Sequence, residues 1–191
     1  MDNLNFKPIG YFRNTLENPY EAPRQPNKDL TQTGGFIQLL DNYNFDDALR
    51  DLDGFSKIWV IFQFHKNNHW NPTVTPPRGG SKKRGVFATR SPYRPNPIGM
   101  SGLNLYKIDG LKLHVGPSDL LNDTPILDIK PYLPYADSHP DEKIGWLQDL
   151  NSERFVIRWS DQAMQHIDFL ESQGVTQLRG FILNHLEFEP N

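Results

Sequence analysis

Short runs of alternating apolar and polar residues fill the first two thirds of the chain, separated by glycine, proline and asparagine. The clearest is 57–65. Ile58, Val60, Phe62 and Phe64 fall on one face, and Lys57, Trp59, Ile61, Gln63 and His65 on the other. A period of two is that of a strand with one face buried. Residues 6–13, 33–40 (opened by Gly34-Gly35), 85–89 and 126–131 predict further strands. Runs 103–108 and 111–115 flank Asp109-Gly110. Both of those residues accept positive φ, so the pair predicts a hairpin turn.

Helical periodicity is rarer. Asn44 is placed to cap 45–52, with Asp46 and Asp47 at the positive end and Gly54 beyond the close. After 155–159, which reads as one more strand, Ser160 opens a helix carrying Met164, Ile167 and Leu170 and ending near Gly174. Thr176 then caps a second helix with Leu178, Phe181, Ile182 and Leu186 on one side. The pattern predicts a mainly β body to about Pro134, a polar linker over 135–143 and a small α/β appendage. Short strands without regular intervening helices favour a barrel or sandwich over a doubly wound sheet.

Composition sets the compartment. The chain has no cysteine, which excludes disulfides and thiolate metal sites and is compatible with a reducing environment. It has no apolar run near the roughly 20 residues of a membrane helix, and its first residues lack a signal-peptide pattern. A cytoplasmic protein with no membrane partner is expected. The net charge of −3 conceals a strong polarity. Residues 54–108 hold nine Lys or Arg and no Asp or Glu, so the remainder carries 11 basic against 23 acidic residues. Such a chain can present a cationic face while remaining acidic overall.

The stretch 75–100 concentrates that charge on a stiff backbone. Prolines at 92, 95 and 97 fix their own φ and push Ser91, Arg94 and Asn96 out of the helical region. Arg90, Tyr93, Arg94 and Asn96 therefore lose little entropy on binding, and arginine forks suit carboxylate or phosphate. Neither a dinucleotide glycine fingerprint nor a P-loop is present. Any adenosine cofactor must be held by another architecture.

Pro23-Arg24-Gln25-Pro26, Phe62-Gln63-Phe64-His65, Thr75-Pro76-Pro77-Arg78, 85–90, 94–100 and 127–132 together resemble the TrmO (YaeB/TsaA-like) family of S-adenosylmethionine-dependent tRNA methyltransferases. The likeness covers roughly 6–138 in order. It implies a single-sheet β-barrel methyltransferase domain over 1–138 with a partial appendage over 139–191. It also implies a homodimer and methylation of N6-threonylcarbamoyladenosine beside the anticodon. Longer members continue into an Asp-Pro-Arg-Pro motif where this chain ends, so the resemblance implies either a short form or a removed tail.

By the same resemblance, S-adenosylmethionine would meet Pro23, Arg24, Gln25, His65, Lys66, Arg90, Leu105, Leu121, Asn122, Asp123 and Thr124. The family's usual Asp-Gly-Thr-Pro reads Asn122-Asp123-Thr124-Pro125 here, a departure at a position where the family has glycine. Methyl transfer from a sulfonium needs placement rather than an enzyme nucleophile. Arg24 and Arg90 are expected to orient anionic groups, and Asn96 or Asp128 to accept a hydrogen bond from the reacting nitrogen. Arg78, Lys82, Lys83 and Arg84 are the expected tRNA-backbone contacts, with Tyr93 and Arg94 nearer the substrate. Trp70 and Tyr93 are candidates for base stacking. Asn96 has a competing reading as a turn former, and Asp128 as a structural partner of Lys130. His65 and His69 have helical metal-ligand spacing, but His65 ends a strand and no carboxylate joins them, so no metal is expected. Two other readings keep the basic loop: a noncatalytic RNA- or anion-binding barrel, and a methyltransferase on another acceptor.

Overall fold

A computed structural model of the chain describes residues 5–15, 34–41, 43–76, 81–148, 155–175 and 178–186. They fall into two compact units, Met1–Thr75 with Lys83–Asp141, and Pro76–Lys82 with Glu142–Asn191. The first is mainly β. Its strands are β1 (Gly10–Arg13), β2 (Gly35–Leu39), β3 (Lys57–Gln63), β4 (Thr73–Val74), β5 (Arg84–Gly85), β6 (Ile98–Asp109), β7 (Lys112–Val115) and β8 (Pro125–Pro131). Six of them form one sheet in the order β1-β2-β7-β6-β3-β8, every pair antiparallel, and β8 pairs back to β1 through Gly10↔Ile126. The sheet is closed. It therefore has no continuous free edge on which another strand could add.

Alternation explains the closure. Phe12, Ile37, Ile58, Val60, Phe62, Leu103, Leu105, Leu113, Val115 and Ile126 all point inward and form one core with Leu39 and Leu120. Each strand thus contributes every second residue, as the period of two in 57–65 predicts. Gly99 lies opposite Phe62 in the register, and a Cβ there would run into the Phe62 ring. Glycine at this position lets the ring close that end of the core. A bulge between Ile61 and Phe62 in the β3–β8 ladder turns Ile129 inward opposite Val60 and leaves Asp128 on the outer face opposite Ile61. On the same outer face, the Trp59 indole and the Leu133 N–H both donate to Asp137, at 2.9 and 2.8 Å. These bonds tie the short helix Pro134–Asp137 to β3.

Several expectations are corrected. Residues 85–89 are not a strand: only Arg84–Gly85 pairs, with Thr73–Val74, and Val86–Ala88 is a turn of 3₁₀-helix. The Thr89 hydroxyl donates to the Val86 carbonyl at 2.9 Å and closes that turn. The predicted helix 45–52 lasts only over Phe45–Ala48, because Asp51 enters the left-handed region at φ 65°. Asn44 makes no side-chain cap to the backbone and donates to the Asp47 carboxylate at 2.6 Å instead. The hairpin turn is displaced by one residue. Asp109 pairs with Lys112, so Gly110 and Leu111 form the turn, with positive φ at Gly110.

In the second unit Ser160 caps a helix over Asp161–Ser172, its hydroxyl accepting from the Ala163 N–H at 3.2 Å. Gly174 follows at φ 93°, as a helix end requires. A second helix covers Leu178–Leu186, and Arg179 pairs with Asp168 and Glu171 of the first. Residues 155–159 form no strand, and no strand occurs among the described residues of this unit. The expected α/β appendage is helical there. Thr176 lies outside the described residues. No described helix is long and apolar enough to cross a membrane.

Candidate active site

Strand directions sort the loops of the closed sheet onto two ends. The C-terminal ends of β1, β3 and β7 meet the N-terminal ends of β2, β6 and β8, as Arg13↔Phe36, Gln63↔Ile98 and Gly35↔Val115 require. This end therefore carries Arg13 and Asn14, the described first-unit parts of the connection (64–75 and 83–97), and the segment 116–124. The segment 116–124 joins β7 to β8, which are not neighbours in the sheet, so it must cross the end.

That crossing is anchored at both sides. Gly116 N–H donates to the Asn104 carbonyl at 2.9 Å, and the Ser101 hydroxyl donates to the Asp119 carboxylate at 2.7 Å. Leu120 then drops into the core, 1% exposed. Asn14 receives the far side, its Nδ2 donating to the Leu120 carbonyl at 2.9 Å and its N–H to Asn122 Oδ1 at 3.3 Å. Asp123 has φ 60°, and Arg13 pairs with its carboxylate. Asp123, which stands where the resemblance places glycine, is itself left-handed, a conformation that Asp and Asn tolerate better than other non-glycine side chains. The N–H of Asp123 donates to the Phe12 carbonyl, and Phe12 N–H donates to Thr124, both at 2.9 Å. Thr124 is buried.

Two groups at this end depart from their ordinary protonation. Burial pushes the Asp119 carboxyl above the usual carboxylate range, while the Ser101 hydrogen bond and the charge of Arg90 work the other way. Burial lowers His65, helped by the neighbouring Lys66 charge and opposed by the Gln63 carbonyl. A neutral imidazole results. Its Nε2 is buried without a hydrogen-bond partner, and so is Nδ2 of Asn67 two residues on. Buried polar atoms are nearly always paired, so two orphans on one turn mark a place where a ligand can supply partners.

Backbone hydrogen bonds tie described parts of the connection 64–97 to one another. Phe64 N–H donates to the Pro97 carbonyl at 2.8 Å, Val86 N–H to Pro72 at 3.0 Å and Asn71 N–H to Tyr93 at 3.1 Å. Arg94 spends its guanidinium on this loop, donating to the carbonyls of Val86 at 3.2 Å and Thr89 at 3.0 Å. Its first task is therefore to hold the loop rather than to reach outward. Arg90, Lys66, Lys83 and Asn96 are exposed.

The structure brings His65, Lys66, Arg90, Tyr93, Arg94, Asn96, Leu121, Asn122, Asp123 and Thr124 to this end. Leu105 pairs with Val115, and its side chain lies in the core. Asp128 stands apart, on the outer face of β8. Its carboxylate accepts from the Ile129 N–H and from Lys130, both at 2.9 Å. Pro23, Arg24, Gln25 and Arg78 lie outside the described residues. Lys82 is exposed and belongs to the second unit. His65 and His69 do not share a helix; the His69 ring packs on Tyr93 with centroids 5.0 Å apart. No group of three His, Cys, Asp or Glu able to hold a metal occurs among the described residues. Asp119, Ser101 and Asn67 were not singled out from the sequence. The Ser101–Asp119 pairing is non-local, and nothing in either residue's neighbours signals it.

The family model for the tRNA-methyltransferase O N-terminal domain matches residues 11–138. The chain belongs to this family. It is 38% identical to the tRNA (adenine(37)-N6)-methyltransferase of Escherichia coli K12, covering 100% of this chain and 83% of that one. A Pseudomonas aeruginosa relative is 39% identical over 83% of this chain and 66% of its own length. It carries the provisional name of S-adenosylmethionine-dependent methyltransferase. A crystal structure of TrmO from Pseudomonas aeruginosa superposes with a TM-score of 0.71 at 31% identity, over 100% of this chain and 83% of that one.

Proposed function

We propose that the chain is an S-adenosylmethionine-dependent tRNA adenine-N6-methyltransferase acting on N6-threonylcarbamoyladenosine at position 37. The reading is supported by the end of the closed sheet from which the segments bearing His65, Arg90, Asn96 and 121–124 emerge, in a chain related over its full length to an enzyme of that name. We take residues 1–138 as the methyltransferase barrel and 139–191 as the appendage. The protein would act in the cytoplasm as a homodimer.

The residues present suit the cofactor. The orphaned Asn67 Nδ2 can donate to a polar ligand and His65 Nε2 can pair with one as donor or acceptor according to its tautomer, and the left-handed turn at Asp123 holds the backbone of 121–124 in a fixed shape. S-adenosylmethionine, when bound, supplies a methyl group activated by its sulfonium. The chain's own part is placement. Arg90 offers planar donors to a carboxylate, whether of the cofactor or of the threonyl group. Asn96, held by the Pro95 and Pro97 backbone, presents an amide oxygen that accepts from the exocyclic nitrogen. The Lys130 pairing of Asp128 supports a structural role for that carboxylate. Lys83 and Arg84 would meet the tRNA backbone, as would Arg78 and Lys82, and make binding salt-dependent.

The test is transfer of labelled methyl from S-adenosylmethionine to tRNA with and without the threonylcarbamoyl group. Transfer confined to modified tRNA is expected. Equal transfer to both would shift the acceptor, and binding of both ligands without transfer would leave a noncatalytic RNA-binding protein.

A further inference from the structure

We infer that Phe87 is a stacking platform for an unpaired RNA base, a role that rests on the RNA reading above. Phe87 lies in the 3₁₀ turn Val86–Ala88 and is 76% exposed, while the adjacent Val86 is 2% exposed and anchors the turn. The ring is thus held out by rigid backbone. The Thr89 hydroxyl and the Arg94 guanidinium both donate to the Val86 carbonyl, and Ser91 N–H donates to Thr89 Oγ1 at 3.2 Å. The Arg94 guanidinium carbon stands 5.6 Å from the ring centroid, a cation over the aromatic ring. Phe87 has no aromatic ring partner among the described residues.

Charge decides what would cover this ring. Lys83, Arg84, Arg90 and Arg94 flank it, and the sequence has no Asp or Glu from 54 to 108. Sites for single-stranded nucleic acid combine cations that follow the phosphates with aromatic planes on which bases stack. Tyr135 and Phe169 lie in acidic company, two residues from Asp137 and between Asp168 and Glu171; Trp70 and Tyr106 are also exposed within the acid-free segment, but neither sits on a turn locked like Val86–Ala88. Of the loop aromatics suggested by the sequence, Tyr93 already packs against His69. Phe87 is the one presented on a locked turn within the basic segment. The sequence hid it, because a strand over 85–89 gives it no such exposure. Its base would be one neighbouring the target adenosine, splayed from the anticodon loop.

The experiment measures binding of a fluorescent anticodon stem-loop RNA by the full chain in anisotropy titrations over a range of salt concentrations. Phe87→Ala and Phe87→Leu are expected to weaken binding about 5- to 100-fold, and Phe87→Trp to retain it. The salt slope should stay unchanged for all three, whereas Lys83→Ala should lower it by about one. Affinity for S-adenosylmethionine, read by calorimetry, should stay at the wild-type value. Phe87→Leu binding as tightly as wild type would overturn the inference. So would a change of mass in sedimentation with RNA affinity intact, which would make Phe87 a protein contact. If the wild-type chain methylates modified tRNA and Phe87→Ala does so with unchanged KM, this inference falls and the proposed function stands. A wild-type chain that neither binds nor methylates tRNA removes both.

Discussion

At one end of the closed sheet, two open clefts of about 400 Å³ are lined by Asp46, Asp47, Asp51, Asp53 and Asp128 together with Leu39, Phe45 and Leu49. The opposite end holds polar groups whose state depends on what surrounds them. His65 is shifted toward its neutral form and keeps an orphaned nitrogen, half-buried Asp119 accepts from Ser101, and the charge of Arg90 acts on Asp119. A cleft is concave apolar surface with solvent in it. A working site needs convergent groups whose hydrogen bonds are incomplete until a ligand arrives. The difference teaches that unfilled bonding capacity, rather than a hollow alone, is what marks the end proposed to bind cofactor and RNA.

The largest expected effect tests how the functional end is roofed. Leu120 carries the 116–124 crossing into the core, so Leu120→Ala should destabilise the chain by about 2–5 kcal/mol, read from denaturant midpoints. Leu49→Ala, half-buried at the cleft end, should cost clearly less. Equal losses would mean that the two ends are packed alike and the contrast is one of charge only.

Arg90→Ala comes next. Losing a charged donor to a carboxylate should lower kcat/KM about 10- to 100-fold, the equivalent of roughly 1.5–3 kcal/mol, with stability unchanged because the side chain is exposed. Wild-type kinetics at saturating cofactor and tRNA, with unchanged cofactor affinity, would remove Arg90 from the site.

Much of this contrast was legible before any coordinates. The inward set of β3 follows from alternation alone, and the stiffness of 90–97 from three prolines. What could not be read is which loops share an end. That depends on β8 lying between β3 and β1 and on β7 lying beside β2, an order of strands in space that no local pattern encodes. Val86–Ala88 misled because Val, Phe and Thr favour strands. The single hydroxyl of Thr89 and the two carbonyl contacts of Arg94 decide for a turn instead. Likewise Asn44, the acidic first turn and Gly54 suggested a helix over 45–52, but Asp51 breaks it in the left-handed region.

At Asp123 the backbone itself can be tested. Placing alanine at φ 60° should cost about 1–2 kcal/mol. Asp123→Gly should stay within about 1 kcal/mol of wild type, because glycine accepts that φ and only exposed contacts, to Arg13 and to the Asn122 amide, are lost. Both variants should show the same ranking in S-adenosylmethionine affinity by calorimetry. An Asp123→Ala variant as stable as wild type would mean that the turn reshapes freely.

A smaller effect reads the His65–Asp119 end by pH. Asp119 titrates higher folded than unfolded, so its contribution to stability is full below the ordinary carboxylate value and is lost as pH rises through its raised one. His65 has the opposite sign: its lowered folded value gives stability present above about pH 6.5 and lost as pH falls below that. In urea midpoints measured across this range, Asp119→Asn should abolish the loss on raising pH from about 4. An unchanged profile would show that the Asp119 carboxyl titrates alike in both states.

The smallest effect belongs to the acidic end. Asp47 pairs with Arg50 at 2.5 Å and accepts from Asn44, but both partners of the ion pair are largely exposed, at 71% and 57%. Such i,i+3 pairs contribute about 0.5 kcal/mol or less, because solvent screens them and ordering two side chains offsets the attraction. Asp47→Ala should therefore move the denaturant midpoint little and leave methyl transfer to modified tRNA at the wild-type rate. A substantial loss of transfer with stability intact would make the cleft end part of the working surface, and the contrast between the two ends would then have to be drawn the other way.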